Sequence, residues 1–405
     1  MTAAPWLHVV GIGEDGMDGL SSAARALVEA AEVIVGGDRH HSLSPNVTAE
    51  RLSWPSPFDA MIDVIRAQRG RRVVILVTGD PLWYSVGALL QRAIPADEIA
   101  YHPQLSAFQW AAARLGWSLA DLETLTVHGR PPEQAVPFFA PGAQLLLLTK
   151  DRTTPGAVAR LLRDNGYGAS RMHVLGALGG DDETILQGVA GQWAAEDPAD
   201  HAPDFHLLAV ECAAEDGATV LARGPGLPDD AFRHDGKMTK QEIRAVTLAK
   251  LWPRRKALLW DVGAGCGSVA IEWMRAARDA EAIGIEPNAD RRAMAAENAL
   301  ALGAPRLKLV EGTAPSALHG LPAPDAVFIG GGLSEPVFEA AWAALKPLGR
   351  LVANAVTLES EALLIELHAR YGGDLVKLAV SRADAVGPYR GWRPLMPVTQ
   401  WSLAK

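Results

Sequence analysis

Short apolar runs alternate with amphipathic stretches along most of the chain, and the alternation is clearest in its C-terminal part. Apolar runs of strand length there predict strands at residues 257–260, 282–285, 307–310, 326–329, 349–353, 375–380 and 398–403, with helices at 290–302, 335–345 and 359–370. Strands separated by helices indicate a doubly wound parallel sheet. The last two strands have no helix between them, so we expect them to form a terminal antiparallel hairpin.

The N-terminal part shows the same alternation, with a change of character near residues 119–126. Strands are predicted before it at 7–10, 32–35, 73–77 and 101–104, and after it at 144–148, 171–175 and 206–211, with helices at 156–164 and around 188–195. The pattern therefore predicts an α/β fold with two half-domains, split near residue 120.

Residues 224–237 are dense in Gly, Pro and charge, which makes them the best linker candidate. They separate predicted domains at residues 1–223 and 238–405. Directly after the linker, residues 239–251 predict a helix, with Thr239 as its N-cap and Glu242 completing a capping box.

A glycine-rich turn, residues 261–267, has the sequence D-V-G-A-G-C-G between a predicted strand and a predicted helix. Glycines permit a sharp turn close to a ligand, and the helix N-terminus offers unpaired N–H groups. Glu286 follows the next strand, where a carboxylate can accept hydrogen bonds from both hydroxyls of a ribose. The G-x-G-x-G spacing is similar to that of S-adenosylmethionine-dependent methyltransferases, so it favours a methyl donor over NAD. The alternative is a tight turn without function.

Other polar features lie in the N-terminal part. The turn at residues 11–16, G-I-G-E-D-G, follows a strand, but Glu14 and Asp15 would repel a pyrophosphate there, so we do not predict a phosphate site. The T-G-D-P turn directs Asp80 into a crevice. Ser106 is a natural N-cap of the helix that follows it, and that structural role is the alternative to a binding role.

Composition narrows the function further. The chain has 405 residues, enough for two or three domains, and its formal net charge of −9 argues against general nucleic-acid binding. Its two cysteines cannot form a disulfide framework or a zinc site by themselves, and the adjacent His40 and His41 favour solvated or capping roles over metal binding. Residues 1–13 have no features of a signal peptide, and no apolar run is long enough to span a membrane. We therefore expect a cytoplasmic protein without a metal.

Two resemblances cover nearly the whole chain. Up to about residue 223 it resembles the tetrapyrrole methylases, through G-I-G-E-D-G, V-T-G-D-P (77–81) and H-P-Q-L-S-A-F (102–108), although that family usually has Pro and Gly where this chain has Glu14 and Asp15. The C-terminal part resembles the decarboxylating precorrin methyltransferases of cobalamin biosynthesis. The matching segments are M-T-K-Q-E-I-R-A (238–245), D-V-G-A-G-C-G-S (261–268), I-E-P (285–287), E-G-T-A-P-S-A-L (311–318) and F-I-G-G-G (328–332).

The resemblance implies a two-lobed tetrapyrrole methylase fold followed by a Rossmann-like methyltransferase fold, with one S-adenosylmethionine in each domain. It implies methylation of reduced precorrin-6 at C-5 by the N-terminal domain and at C-15 by the C-terminal domain, with loss of CO2 from the C-12 acetate. The product would be precorrin-8. The related families also imply self-association.

Donor-binding residues are expected in both domains. In the C-terminal domain they are Thr239, Gly263, Ala264, Gly265, Cys266, Gly267, Glu286, Thr313 and Ala314; in the N-terminal domain they are Gly79, Asp80, Pro81, Leu105 and Ser106. No catalytic residue can be assigned from the sequence.

The precorrin substrate carries many carboxylates, so cations and close-approach glycines are expected around it: Lys240, Arg244, Gly330, Gly331, Arg382, Arg390 and Arg393. For each cation, ordinary surface charge is the alternative. Two further functions stay open. One is a methyltransferase of nucleic acid or another small molecule. Action on nucleic acid predicts a basic face with aromatic platforms and, for amino-group targets, an Asn/Asp-Pro-Pro-aromatic motif where this chain has F-I-G-G-G. The other is a donor-binding sensor without catalysis.

Overall fold

The computed structural model describes residues 5–55 and 60–405, so part of the 1–13 segment considered for a signal peptide lies outside it. The chain forms two compact units. The N-terminal unit comprises residues 1–130 and 141–218, and the C-terminal unit comprises 131–140 and 219–405. The sequence prediction had put 131–140 with the N-terminal domain. This segment contains the 3-10 helix Pro132–Phe138, against which Gly303 of the C-terminal unit packs closely.

The N-terminal unit begins with a parallel sheet of order β3-β2-β4-β1-β5. Its elements are β1 (Leu7–Ile12), α1 (Ser22–Glu29), β2 (Val33–Gly36), α2 (Asp38–Ser42), β3 (Glu50–Ser53), α3 (Met61–Arg66), β4 (Val73–Thr78), α4 (Gly87–Ala93) and β5 (Ile99–His102). Strands β1, β2 and β4 are almost wholly buried. β3 is half-exposed and polar at the edge of the sheet, and no apolar run in the sequence marked it.

The second sheet of this unit has the order β6-β7-β10-β8-β9 and is mixed. Its elements are α5 (Ala107–Leu115), β6 (Glu123–Thr126), β7 (Gln144–Leu148), α6 (Thr154–Asp164), β8 (Arg171–Gly176), β9 (Thr184–Val189), α7 (Ala190–Ala195) and β10 (His206–Glu211). Only β6 and β7 are parallel. The helix predicted around 188–195 begins later, because the edge strand β9 occupies residues 184–189.

The C-terminal unit contains the predicted doubly wound sheet, with strand order β13-β12-β11-β14-β15-β19-β16. Its main elements are α8 (Gln241–Leu251), β11 (Leu258–Val262), α9 (Ser268–Ala276), β12 (Glu281–Ile285), α10 (Ala289–Ala301), β13 (Lys308–Val310), β14 (Ala326–Ile329), α11 (Glu335–Ala344), β15 (Arg350–Ala355), α12 (Leu358–Tyr371), β16 (Asp374–Leu378) and β19 (Val398–Ala404). Strands β11 to β15 are parallel. The strand order reverses between β11 and β14, which is where ligands bind in such sheets.

The predicted pairing of the last two strands is confirmed, since β16 and β19 are antiparallel neighbours. The sequence prediction missed a second hairpin between them, β17 (Ser381–Val386) and β18 (Tyr389–Pro394), which forms a sheet of its own. Most of its side chains are exposed, including Tyr389 and Trp392, each 77% exposed. A strand pair without a buried face lacks the period-two alternation on which strand prediction depends.

The segment predicted as a linker is held against the C-terminal unit. The buried carboxylate of Glu272 accepts hydrogen bonds from the Gly226 and Leu227 amides, at 2.6 and 3.0 Å. The predicted capping box after it is wrong, because α8 begins at Gln241 with Lys240 as an N-cap that makes no side-chain cap bond. Glu242 pairs with Arg382 instead.

The structure of residues 5–55 and 60–405 contains neither a helix that could span a membrane nor a cluster of metal-binding side chains. None of the helices described is both long and apolar enough to cross a membrane. Within the same ranges, no group of three or more His, Cys, Asp or Glu side chains could hold a metal ion.

Candidate functional site

The glycine-rich turn lies at the strand-order reversal of the C-terminal sheet, between β11 and α9. Gly263, Gly265 and Gly267 have φ values of +74°, +56° and +80°, a conformation that other residues rarely adopt. A β-carbon on Gly263 would lie 2.9 Å from the amide nitrogen of Gly331. The turn after β11 therefore meets the turn after β14 without room for a side chain, and the sequence brings these two predicted site segments together.

Glu286 lies at the end of β12, the strand next to β11, and is 3% exposed. One carboxylate oxygen accepts the Gly265 amide at 2.9 Å, and the other accepts the Asn288 amide at 3.0 Å. Each carboxylate oxygen can accept a second hydrogen bond. The carboxylate is thus fixed beside the turn by two backbone amides, and the role of Glu286 in binding a ribose stays a prediction.

Asp261, at the end of β11, is a second buried carboxylate at this site. It accepts the Ala270 amide of α9 at 3.0 Å, which ties the first turn of that helix to the strand. Burial, with a smaller contribution from neighbouring Glu286, raises the pKa of Asp261 to about 7. Cys266 is also buried, and burial raises the pKa of its thiol, so it is not an activated nucleophile.

Thr313 and Ala314 follow β13, which pairs with β12. Their turn is closed locally, since the Thr313 carbonyl accepts the Ala317 amide at 3.1 Å and the Ser316 hydroxyl at 2.8 Å. The carboxyl ends of parallel strands meet at one edge of a sheet, so this turn and Glu286 share the edge that carries the glycine-rich turn.

The N-terminal unit brings its own predicted loops together. Gly79 follows β4 with φ +66°, and a β-carbon there would lie 2.6 Å from the Cα of Ser106. Gly11 packs against the Gly79 carbonyl, which also accepts the Gln104 amide at 3.3 Å. The chain segments at β1, β4 and before α5 thus converge through backbone contacts.

The side chains of the N-terminal loops mostly serve the loops themselves. Asp80 accepts the Leu82 amide at 2.7 Å, which closes the turn that also contains buried Pro81. The predicted capping role of Ser106 is confirmed, because its hydroxyl accepts the Phe108 amide at 3.3 Å at the start of α5. Leu105, beside it, is 48% exposed.

Glu14, in the acidic turn of the N-terminal unit, is paired with a cation. The guanidinium of Arg39 donates to Glu14 at 2.7 Å and to the Thr78 hydroxyl at 2.9 Å. His40 accepts the Gly37 amide at 3.2 Å through Nδ1, so its other nitrogen carries the proton that reaches Thr78. This confirms the predicted capping role of His40. A phosphate at Glu14 would have to displace an ion pair, which agrees with rejecting a phosphate site there.

The two parts of the chain match different families of known proteins. A family model of tetrapyrrole (corrin/porphyrin) methylases matches residues 6–194, and a model described as the precorrin methyltransferase domain matches residues 230–405. A relative from Sinorhizobium sp, named precorrin-6Y C(5,15)-methyltransferase [decarboxylating], is 46% identical over 404 residues, covering 99% of this chain and 97% of the relative. The chain belongs to the precorrin-6Y C(5,15)-methyltransferase (decarboxylating) family. It is an S-adenosylmethionine-dependent C-methyltransferase.

Two shorter relatives each align with less than half of this chain. A cobalt-precorrin-7 C(5)-methyltransferase from Salmonella typhimurium is 31% identical over 42% of this chain and 83% of its own length. A protein from Pyrobaculum calidifontis, named "Probable cobalt-precorrin-6B C(15)-methyltransferase (decarboxylating)", is 36% identical over 43% of this chain and 93% of its own length. In these relatives the C(5) and C(15) activities are named on separate chains.

The position of Arg244 in the structure corrects its prediction as a residue that binds the substrate. Its guanidinium is fully buried, paired with Glu272 and with Asp229 at 3.2 Å, and it donates to the carbonyls of Thr239 and Leu227. It cannot line the mouth of a site. The helical spacing placed Arg244 on the same face as Lys240 but did not show that this face is covered by the 226–239 segment.

The other candidate cations differ in how far they are already paired. Arg382 makes ion pairs with Glu242 at 2.7 Å and Asp229 at 2.9 Å, and Arg393 pairs with Asp384 at 2.8 Å across the exposed hairpin. Lys240 donates to the Gly236 carbonyl, and Arg390 is exposed on β18. Gly330 and Gly331 are exposed after β14.

The sequence analysis missed two polar residues that organise the C-terminal site. Asn298 on α10 is buried and hydrogen-bonds the Cys266 carbonyl of the glycine-rich turn, at 2.9 Å. Glu272 on α9 holds the amides of the 226–227 peptide. Each lies at a helix position where an apolar residue would be expected, and a polar residue in a buried helix face was the available signal.

Proposed function

We propose that this chain adds two methyl groups to reduced precorrin-6, one at C-5 in the N-terminal domain and one at C-15 in the C-terminal domain. The C-15 reaction is accompanied by loss of CO2 from the C-12 acetate, and the product is precorrin-8. The relative from Sinorhizobium sp supports this reaction, because its name gives both positions and the decarboxylation and it matches this chain almost end to end. The separate C(5) and C(15) relatives support the division between domains.

In the C-terminal domain the proposed donor residues are Thr239, Gly263 to Gly267, Glu286, Thr313 and Ala314. The observation that carries this assignment is the buried Glu286 carboxylate, fixed by the Gly265 amide and still able to accept from two hydroxyls. The N-terminus of α9, which follows the glycine-rich turn, offers amides to the carboxylate of the donor. The donor supplies an electrophilic methyl group on a sulfonium.

In the N-terminal domain the proposed donor residues are Gly79, Asp80, Pro81, Leu105 and Ser106. The convergence of Gly11, Gly79 and Ser106 supports this assignment, because it brings together the backbone of β1, of the turn after β4 and of the segment before α5. The two separate sets of loops support one donor in each domain. The proposed domains are residues 1–223 and 238–405, with 224–237 between them.

The protein's contribution to both methyl transfers is orientation. The macrocycle is electron-rich and provides the carbon nucleophile, so the residues need only hold the two reactants in line and exclude water. Positioning of this kind can contribute up to roughly 7–11 kcal/mol to the barrier reduction. In the decarboxylation, the electron pair of the breaking C–C bond moves into the protonated macrocycle, and a proton then completes the C-12 methyl group.

Substrate carboxylates are proposed to bind at Lys240, Arg382, Arg390 and Arg393, with Gly330 and Gly331 allowing the macrocycle to approach the methyl group. Arg382 fits only if a substrate carboxylate shares it with Glu242 and Asp229. We further propose a cytoplasmic enzyme that self-associates and does not act on nucleic acid. The net charge of −9 supports the last point.

The test is a reaction of the whole chain with reduced precorrin-6 and S-adenosylmethionine, followed by mass spectrometry of the macrocycle. The expected product has gained two methyl groups and lost one CO2. A chain that binds the donor and leaves the mass of the macrocycle unchanged would show that the assigned substrate is wrong.

A further inference from the structure

The segment at residues 226–240, here called the strap, lies beside the glycine-rich turn of the C-terminal unit. The Lys237 carbonyl oxygen would be 3.7 Å from a β-carbon on Gly265. The strap is anchored at its start, where Glu272 holds the Gly226 and Leu227 amides and Arg244 pairs with Asp229. This part of the strap is fixed by buried charges.

The centre of the strap is held by the buried side chain of Phe232, which packs in a hydrophobic cluster with Ile271 and Ala299, and by hydrogen bonds to one neutral side chain, Asn298. Its Oδ1 accepts the Arg233 amide at 2.8 Å, and its Nδ2 donates to the Arg233 carbonyl at 2.9 Å. The same Nδ2 donates its second hydrogen to the Cys266 carbonyl at 2.9 Å. Asn298 is 3% exposed, and its amide is fully committed to these two segments.

These three bonds connect the strap to the donor turn through a single amide group. A fixed Cys266 carbonyl fixes the plane of the peptide between Cys266 and Gly267, because the peptide bond is rigid. That peptide belongs to the turn proposed to hold the donor, and its Gly267 amide donates to the Ala264 carbonyl at 2.9 Å. Asp235 adds a weaker and more exposed tie by pairing with Arg291 at 2.8 Å.

We propose that Asn298 is a positioning residue for methyl transfer in the C-terminal domain: it holds the strap against the glycine-rich turn and thereby sets the affinity of this domain for the methyl donor. The inference rests on the proposed donor site. It assigns Asn298 a role in the reaction without contact with donor or substrate.

The test compares variants of the full chain by calorimetric titration with S-adenosylhomocysteine. Asn298→Ala removes all three bonds, whereas Asn298→Asp keeps an acceptor for the Arg233 amide and loses both donated bonds. Both should weaken the binding step of the C-terminal domain by about tenfold or more, because each loses at least two buried hydrogen bonds. Arg233→Ala is the matched control, since it removes the exposed ion pair with Glu297 and keeps the backbone bonds to Asn298; its affinity should stay unchanged.

The C-terminal binding step is identified as the one that Glu286→Ala removes. If Glu286→Ala changes nothing, the donor site itself is wrong and the inference falls with it. If Glu286→Ala removes a binding step and folded Asn298 variants keep it at full affinity, the donor site stands and the inference about Asn298 is overturned.

A measurement on the unaltered chain covers the case in which the Asn298 variants do not fold. Amide hydrogen exchange is followed in peptides that span residues 227–240, with and without S-adenosylhomocysteine. We expect the donor analogue to slow exchange of the Arg233 amide, because a bound donor orders the turn that Asn298 shares with the strap. Protection of residues 263–267 without any protection of the strap would contradict the inference.

Discussion

The two proposed donor sites are built in different ways. In the C-terminal unit, buried polar side chains shape the site: Asp261, Glu286 and Asn298 each hold a backbone group of the glycine-rich turn or of the helix behind it. In the N-terminal unit, the loops meet through main-chain contacts at Gly11, Gly79 and Ser106. A site built from side chains leaves a motif in the sequence, whereas a site built from backbone leaves mainly glycines.

The charged side chains of the two sites also differ in their hydrogen-bond partners. Near the N-terminal turn, Arg39 bonds Glu14 and Thr78, and His40 bonds Thr78. At the C-terminal site, each carboxylate of Asp261 and Glu286 bonds to backbone amides. A ligand can therefore bind there without displacing an ion pair.

We expect the largest losses of activity from substitutions that place a β-carbon between the converging loops. Gly263→Ala should abolish CO2 release, and Gly79→Ala should leave a product with one added methyl group and lost CO2. Each substitution combines a positive φ, about 1–2 kcal/mol, with overpacking of about 1–3 kcal/mol. The assay is mass spectrometry of the macrocycle.

Two controls accompany this pair. Gly320→Ala introduces a β-carbon at φ +76° with no atom within 4 Å, so it should cost only the backbone strain. An equimolar mixture of the Gly79→Ala and Gly263→Ala chains should restore the full product. Continued CO2 release by Gly263→Ala would contradict the assignment of decarboxylation to the C-terminal domain.

Glu286→Ala should weaken donor binding at one of the two sites only. Hydrogen bonds to a charged group contribute about 1.5–3 kcal/mol, so the affinity of the C-terminal site should fall roughly 10- to 150-fold. Calorimetry would detect the loss of one binding step. The control is Glu366→Ala, an exposed carboxylate on α12, for which we expect two unchanged steps.

His40 should give the N-terminal unit a specific acid sensitivity. Burial, and to a smaller extent neighbouring Arg39 and His41, lowers the pKa of His40 to about 4 from its usual 6.5. Between these values the unfolded chain binds a proton that folded His40 does not, so stability is complete above pH 6.5 and falls as the pH drops towards 4. The loss should be on the order of 3 kcal/mol.

His40→Gln should flatten this pH dependence, because glutamine does not titrate. Thermal unfolding of the N-terminal unit, measured at intervals from pH 7 to pH 4, checks it. An equally steep decline in the variant would assign the acid sensitivity to other groups.

The smallest effect is expected at Ser106. Ser106→Ala should lower the stability of the N-terminal unit by about 1 kcal/mol, the usual contribution of a helix N-cap. Ser106→Asp should restore most of it, since aspartate is an equally good cap. If Ser106→Asp also restores C-5 methylation, the hydroxyl acts as a cap; if activity stays low, it acts on the donor.

The sequence was sufficient to predict the parallel sheet of the C-terminal unit, because its strands are continuous buried apolar runs. The sequence was also sufficient to predict the position of Glu286 beside the glycine-rich turn, because this residue follows the neighbouring strand. It did not reveal the β17–β18 hairpin, which has no buried face. Nor did it reveal that Arg244 is enclosed, because burial there depends on a segment rich in Gly, Pro and charge that resembles a mobile linker.

The contacts of Asn298 could not be predicted from the sequence either. Its three hydrogen bonds join residues separated by 32 and 65 positions in the chain. No local pattern can predict such contacts, which exist only once α10, the strap and the glycine-rich turn are packed together. A buried asparagine on an otherwise apolar helix face is the most that the sequence offers.

We propose that each domain of this chain methylates its own carbon of one macrocycle. The most direct test is to supply the donor with a ¹³C-labelled methyl group and to locate the label in the product by ¹³C NMR. We expect label on C-5 and on C-15, and an unlabelled methyl group at C-12 where the acetate has lost CO2. Label at only one of these carbons, or at any other carbon, would contradict the account.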